Sequence, residues 1–130
     1  MRGELVEERL TQSIIGAFYE VYNTLGTGLL EQHYAAALAH ELAARGHSVA
    51  REVSIDVWYK QHLLGRQRID LIVDGKVVVE TKATQELHLS ATKQCFSYLR
   101  VSGAGIGLVL NFGEKPGVKR LTSRRRVLAP

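Results

Sequence analysis

The chain has 130 residues, 45% of them hydrophobic and 23% charged, with a formal net charge of +4. That is ordinary for a soluble globular protein and long enough for one domain with a real core. No apolar run approaches a membrane span, and Met1-Arg2-Gly3-Glu4 lacks the apolar stretch of a signal peptide, so a cytoplasmic protein is expected. Cys95 is the only cysteine, which excludes an internal disulfide and a zinc cluster built on cysteines.

Taken in chain order, Glu4 to Leu25 reads as a helix, because Leu10, Ile14, Phe18, Val21 and Leu25 recur at spacings of three and four. Gly26 and Gly28 break it. A second helix is expected from about Leu29 to Arg45, stopped by Gly46. Three strands follow: Ser48 to Trp58, Leu63 to Val73, and Lys76 to Lys82, with Lys60-Gln61 and Asp74-Gly75 as turns. A helix then spans about His88 to Val101, with Leu89, Thr92, Phe96 and Leu99 on one side. Cys95 within it reads as a small core residue. Ile106 to Asn111 is a short apolar run, expected as a buried strand, and Val118 to Leu121 an edge strand. The helix between the third and fourth strands is long enough for a parallel crossover. The order predicts a single domain, a mixed α/β sandwich around one central sheet.

The hairpin carries the chemistry. Asp70 lies in its first strand and Glu80-Thr81-Lys82 in its second. Two carboxylates and a lysine near the end of a hairpin can hold a divalent metal and activate a water, which suggests phosphodiester hydrolysis. Side chains alternate faces along a strand, so residues cooperate only if their parity agrees. A two-residue turn would put Asp70 and Glu80 on opposite faces. A three-residue loop ending at Gly75 would pair Ile72 with Lys76. It gathers Ile69, Leu71 and Val73 with Val77 and Val79 on one apolar face, and Asp70, Glu80 and Lys82 on the other. Burial favours that register.

Further candidates flank the hairpin. Glu31 and Tyr34 share a helix face, with Gly28 at the helix entry. Read alone, Glu31 is a favourable charge at a helix N-terminus and Tyr34 a core residue with a satisfied hydroxyl. Gln94 and Tyr98 lie four apart on the later helix and could reach a metal-bound water or a phosphate. The five histidines have no zinc-helix spacing, and His88 lies nearest the hairpin site. From Glu114 onward come Lys115, Lys119, Arg120, Arg124, Arg125 and Arg126 against one acid, whereas residues 1 to 113 carry 11 basic and 12 acidic side chains. The basic excess is thus a C-terminal tail, suited to phosphate backbones or to solubility.

Gly28, Glu31 and Tyr34 resemble the name-giving motif of the GxxExxY proteins. Asp70 with Glu80-Thr81-Lys82 is similar to the core of the PD-(D/E)XK nuclease superfamily, to which that family is assigned. Gln94 and Tyr98 resemble the Q-x-x-x-Y motif of the RecB-like branch. The resemblance runs from about Leu10 to Arg126 and takes in Gly65 to Asp70 and Leu110-Asn111-Phe112. Ile69 replaces the proline of the superfamily name, and Thr81 stands where an aliphatic residue is usual.

The resemblance implies a restriction-endonuclease-like three-layer α/β/α fold and a metal-dependent nuclease, with DNA favoured over RNA. Mg²⁺ or Mn²⁺ would be held by Asp70, Glu80, the Thr81 carbonyl and Glu31. Lys82 would orient the attacking water or stabilise charge on phosphorus, and Gln94 and Tyr98 would position the strand. Tyr34, Arg66, Arg68, Lys119, Arg120, Arg124, Arg125 and Arg126 would contact nucleic acid. A homodimer is allowed. The competing class is a binding protein that keeps the fold without turnover and holds nucleic acid or a protein partner.

Overall fold

The structure is a computed structural model, and the residues it describes are 2–123. Arg124, Arg125 and Arg126 of the basic tail lie outside the described residues. The elements run α1 (Arg2–Leu25), α2 (Glu31–Ala44), β1 (Val49–Tyr59), β2 (His62–Val73), β3 (Val77–Lys82), α3 (Leu89–Ser102), β4 (Ile106–Asn111) and β5 (Gly117–Thr122). Each predicted element is present, with boundaries displaced by a residue or two. No helix among the described residues is long and apolar enough to cross a membrane.

The five strands lie in the order β1-β2-β3-β4-β5. Only β3 and β4 run parallel, joined by the α3 crossover; the other neighbours are antiparallel. Helices cover both faces, giving the expected three layers. On one face α1 and α2 bury Ile14, Phe18, Val21, Tyr34, Leu38 and Leu42 against Leu71, Val73, Val77, Val79, Leu108 and Leu110. Leu25, expected on that stripe, is 40% exposed because it is the last residue of its helix. On the other face α3 packs over Val78 and Val109.

The inward side of α3 is Ala91, Cys95, Tyr98 and Leu99, whereas Leu89 and Phe96 face outward. The expected stripe was therefore turned around the helix by its small residues. Ala91 and Cys95 let the helix sit close to the sheet. A Cβ added to Gly107 of β4 would stand 2.8 Å from Cys95 Sγ, so that contact requires glycine. Burial pushes the Cys95 thiol up to about 12, with the Glu80 charge adding to it, consistent with its reading as a core residue.

The β2–β3 turn differs from the expected one. Asp74 and Gly75 both have positive φ, 53° and 65°, and Lys76 N–H donates to Val73 O at 2.9 Å. The ladder then resumes at Val73↔Val77 instead of Ile72↔Lys76, with Lys76 as the extra residue. In this register Asp70 falls level with Glu80, whereas the expected one would have set it opposite Val78. The turn is tied to the rest of the fold by a chain of side chains. Ser13 Oγ lies 2.7 Å from His47 Nε2, and His47 Nδ1 lies 2.8 Å from Asp74 Oδ2. This clasp holds α1, the end of α2 and the hairpin turn in one arrangement.

Candidate active site

The site forms where β2 parts from β3. Their ladder runs from Val73↔Val77 to Leu71↔Val79 and ends there. At the next position Asp70 N–H donates to the Glu80 side chain at 3.2 Å rather than to a backbone carbonyl. Asp70 Oδ2 in turn accepts both the Thr81 N–H and the Thr81 hydroxyl, each at 2.9 Å. Side chains thus fill the opening between the strands. The threonine hydroxyl gives a physical reason for Thr81 at an otherwise aliphatic position: it holds the aspartate.

The pleat also breaks at this point. Ile69 packs in the α3 cluster, whereas Leu71 and Val73 pack under α1 and α2. The expectation that Ile69, Leu71 and Val73 share one face is therefore corrected. Opposite Asp70 on β1 stands Glu52, between the pairs Arg51↔Leu71 and Val53↔Ile69, with φ of 52°. A left-handed glutamate inside a strand turns β1 over in step with β2. Asp70 accordingly points along the sheet into the opening, toward Thr81, while Glu80 and Lys82 belong to the α3 side of β3, so the expectation that Asp70, Glu80 and Lys82 share one face is corrected as well.

Glu80 is only 4% exposed. Burial, then the charge of Asp70, pushes its carboxyl up from 4.5 to about 8, against the pull of the Asp70 N–H and Lys82. Two carboxylates this close, one of them buried, call for a proton or a cation between them. Lys82 is joined to Gln94 of α3, Nζ to Oε1 at 3.3 Å. Tyr98, one turn further along α3, is 4% exposed; burial and the Glu80 and Asp70 charges raise its hydroxyl. It lies beside the acids as a packed residue. Its edge lines a hollow of about 230 Å³ with Val57, Gln67 and Arg100.

The Gly28–Tyr34 segment works as a mould. Tyr34 is fully buried and stacks on Phe112 at 4.5 Å and 10°. Its hydroxyl donates to Gly26 O at 2.6 Å and accepts Leu29 N–H at 3.2 Å. Nothing of Tyr34 is left for nucleic acid, so that expectation is corrected in favour of the core residue with a satisfied hydroxyl. The loop so shaped, with Gly28 at φ 102°, delivers Glu31 as the first residue of α2. Glu31 Oε2 accepts the Ala83 N–H just past β3 at 3.3 Å. Its charge contributes to the rise at Glu80. Among the described residues no three His, Cys, Asp or Glu side chains are grouped so as to hold a metal ion. Tyr34→Phe is expected to lower stability by about 1 kcal/mol and to slow any reaction that needs Glu31 in place. Urea titration checks the first effect.

Two hollows flank the acids. One, of about 370 Å³, is lined by Glu31, Arg51, Glu52, Arg68, Asp70 and Thr81. The other, of about 410 Å³, is lined by Glu31, Lys82, His88 and Gln94 among others. Arg68 lies on the first of these, 3.7 Å from Glu52. Arg66 stands further out on β2 and is paired with Asp56 at 2.9 Å. Lys119 and Arg120 are exposed on β5, and Lys119 stands two strands across from Glu80 at the same level.

Reading the sequence missed Arg51 and Glu52, which only the β1–β2 pairing brings to Asp70. It also missed a role for Asn111. This fully buried side chain accepts Thr84 N–H at 3.0 Å and donates to Thr84 O at 3.0 Å, fixing the chain that leaves Lys82. Its place at the end of an apolar strand is the one local signal: a buried amide needs partners.

The donor set fits a hard divalent ion. It offers oxygens only, from two carboxylates, and Mg²⁺ commonly takes one or two carboxylates and completes its shell with water and substrate phosphate. Residues 8–121 match the family profile described as the PD-(D/E)XK nuclease superfamily. No curated protein and no solved structure gives a significant match.

Proposed function

Because this chain belongs to the PD-(D/E)XK nuclease superfamily, we propose that it is a divalent-metal-dependent nuclease that hydrolyses phosphodiester bonds, with DNA as its substrate in preference to RNA. The observation that carries the reading is the meeting of Asp70 with the buried Glu80 where β2 leaves β3, beside the Lys82–Gln94 pair. Asp70 and Glu80 would hold Mg²⁺ or Mn²⁺, with the Thr81 carbonyl as a further oxygen. When bound, such an ion supplies water activation and neutralisation of phosphate charge.

The protein's own groups supply the rest. Thr81 and the Asp70 N–H fix the two carboxylates before substrate arrives, so little reorganisation is needed. Lys82, steered by Gln94, presents its cation to the scissile phosphate. Glu31, held by Ala83, orients a water from the α2 side. Arg51 and Arg68 line the same hollow as Asp70 and contact flanking phosphates. We place the protein in the cytoplasm and keep a homodimer as compatible with this reading.

The test is incubation of purified protein with single- and double-stranded DNA and RNA in Mg²⁺, Mn²⁺ or chelator. Cleavage with metal and none with chelator is expected. The basic tail is proposed to grip phosphates. Deleting Ser123 to Pro130 is expected to weaken binding about equally across sequences, and each lost contact flattens the log–log salt slope by roughly 0.7 to 0.9. An unchanged slope in a filter-binding titration would make the tail a solubility device.

A further inference from the structure

β1 and β2 outrun the sheet. Their pairing with each other continues from Val53↔Ile69 to Tyr59↔His62, well past the last β2–β3 pair. Beyond Asp70 they form a two-stranded arm. Its root leans on α3 through Val53 and Ile55, but β2 is exposed from residue 62 to residue 68. From Asp70 to His62 the strand reaches roughly 26 Å at ~3.3 Å per residue.

The arm carries two kinds of surface. Along it stand Arg68, which lines the Asp70 hollow, and then Arg66. From Glu52 to Arg68 there are three permanent cations, Lys60, Arg66 and Arg68, against two acids; Arg66 pairs with Asp56 at 2.9 Å and Arg68 with Glu52 at 3.7 Å. The tip is apolar: Tyr59 is 57% exposed, Leu63 48% and Leu64 65%. Lys60 Nζ sits 5.3 Å from the centre of the Tyr59 ring. The turn itself is Lys60-Gln61, with φ of 44° and 70°. Asn-Gly makes that turn at lower conformational cost. A lysine and a glutamine held in left-handed backbone at an exposed tip present side chains that a cheaper turn would lack.

Resting on the nuclease reading, we propose that the arm is a nucleic-acid clamp whose apolar tip stacks on unpaired bases, so that the substrate is single-stranded DNA or duplex DNA with a single-stranded end. Arg68 and Arg66 continue from the acids at the arm's root, and their ion pairs with Glu52 and Asp56 are exposed, so a phosphate backbone can compete for both guanidinium groups. An intact duplex shows the tip only phosphates and groove edges, because its base faces are stacked away. The Tyr59 ring with a cation beside it shares one face of the arm with Leu64 and matches a base face, and base–aromatic stacking accepts any sequence. Unpaired bases therefore lie some 26 Å from the bond to be cut.

The test uses the full chain with chelator present, so that binding is measured without turnover. Fluorescence anisotropy compares a single-stranded DNA, a blunt duplex and a duplex with a single-stranded end, and 2-aminopurine in the unpaired segment reports stacking. The wild-type protein is expected to bind the two substrates with unpaired bases at least about 10-fold tighter than the blunt duplex. The triple variant Tyr59→Ser, Leu63→Ser, Leu64→Ser is expected to lose that preference and the 2-aminopurine change, with its circular dichroism unaltered. Arg66→Gln is expected to weaken all three substrates alike. Equal binding of all three by the wild-type chain, or an unchanged preference in the tip variant, overturns the proposal. So does a wild-type dimer that the tip variant converts to monomer with DNA affinity unchanged, since the tip then covers a second copy. Cleavage in Mn²⁺ is scored separately. Cleavage without tip-dependent binding overturns the clamp alone, and tip-dependent binding without cleavage overturns the nuclease reading alone.

Discussion

Replacing Asp70, Glu80 or Lys82 singly by alanine is expected to lower cleavage by about 10³-fold or more while the protein stays folded. The three act as a unit. Asp70 and Glu80 share one opening between strands, and Lys82 follows on the same strand as Glu80, two residues on. The losses in double variants should therefore be far from additive. Glu80→Ala also removes a buried group, so near-native circular dichroism in each variant is part of the test. Gln94→Ala leaves Lys82 charged but unsteered, and a smaller loss of about 10-fold is expected. Single-turnover rates at saturating Mn²⁺ separate these cases. Full activity in Asp70→Ala would remove the site from consideration.

The second large effect is on stability in the absence of metal. The folded protein holds the Glu80 proton up to about pH 8, whereas an unfolded glutamate releases it near 4.5. Between those values the native state binds the extra proton, so stability falls as pH rises. The contribution is fully present below pH 4.5 and gone above about pH 8. A pKa displaced that far corresponds to roughly 5 kcal/mol. Urea titrations with chelator are expected to show the wild-type chain losing much of this between pH 5 and pH 8. Glu80→Gln keeps an acceptor for the Asp70 N–H and carries no proton to lose, so its curve should stay nearly flat over the same range. Parallel curves for the two proteins would show that Glu80 is not the group responsible.

Much of this architecture is legible in the residues because hydrophobic period and glycine position are local. β4, an apolar run between glycines, was placed to the residue, and so was the end of α1. That the hairpin brings Asp70 and Glu80 together was also legible, but their sharing one face was not, since Asp70 bonds Thr81. The supporting argument was partly mistaken, since it assumed an unbroken pleat. The break at Asp70 depends on Glu52 adopting a left-handed backbone, which only the facing strand reveals. Arg51 and Asn111 escaped for the same reason: each acts through a partner distant in sequence. Tyr34 and Tyr98 show the converse. Motif spacing marked them as functional, and both are buried, one shaping the loop that carries Glu31 and the other packed beside the acids.

The most direct measurement of the central claim is a calorimetric titration of Mn²⁺ into the wild-type chain near pH 7, repeated in buffers of different ionisation enthalpy. Filling the Asp70–Glu80 pair requires Glu80 to give up the proton it holds at that pH. The account predicts saturable binding that releases about one proton per site. It predicts no such binding in Glu80→Ala or Asp70→Ala. Absence of saturable binding in the wild-type chain, or binding that survives both substitutions, would contradict it.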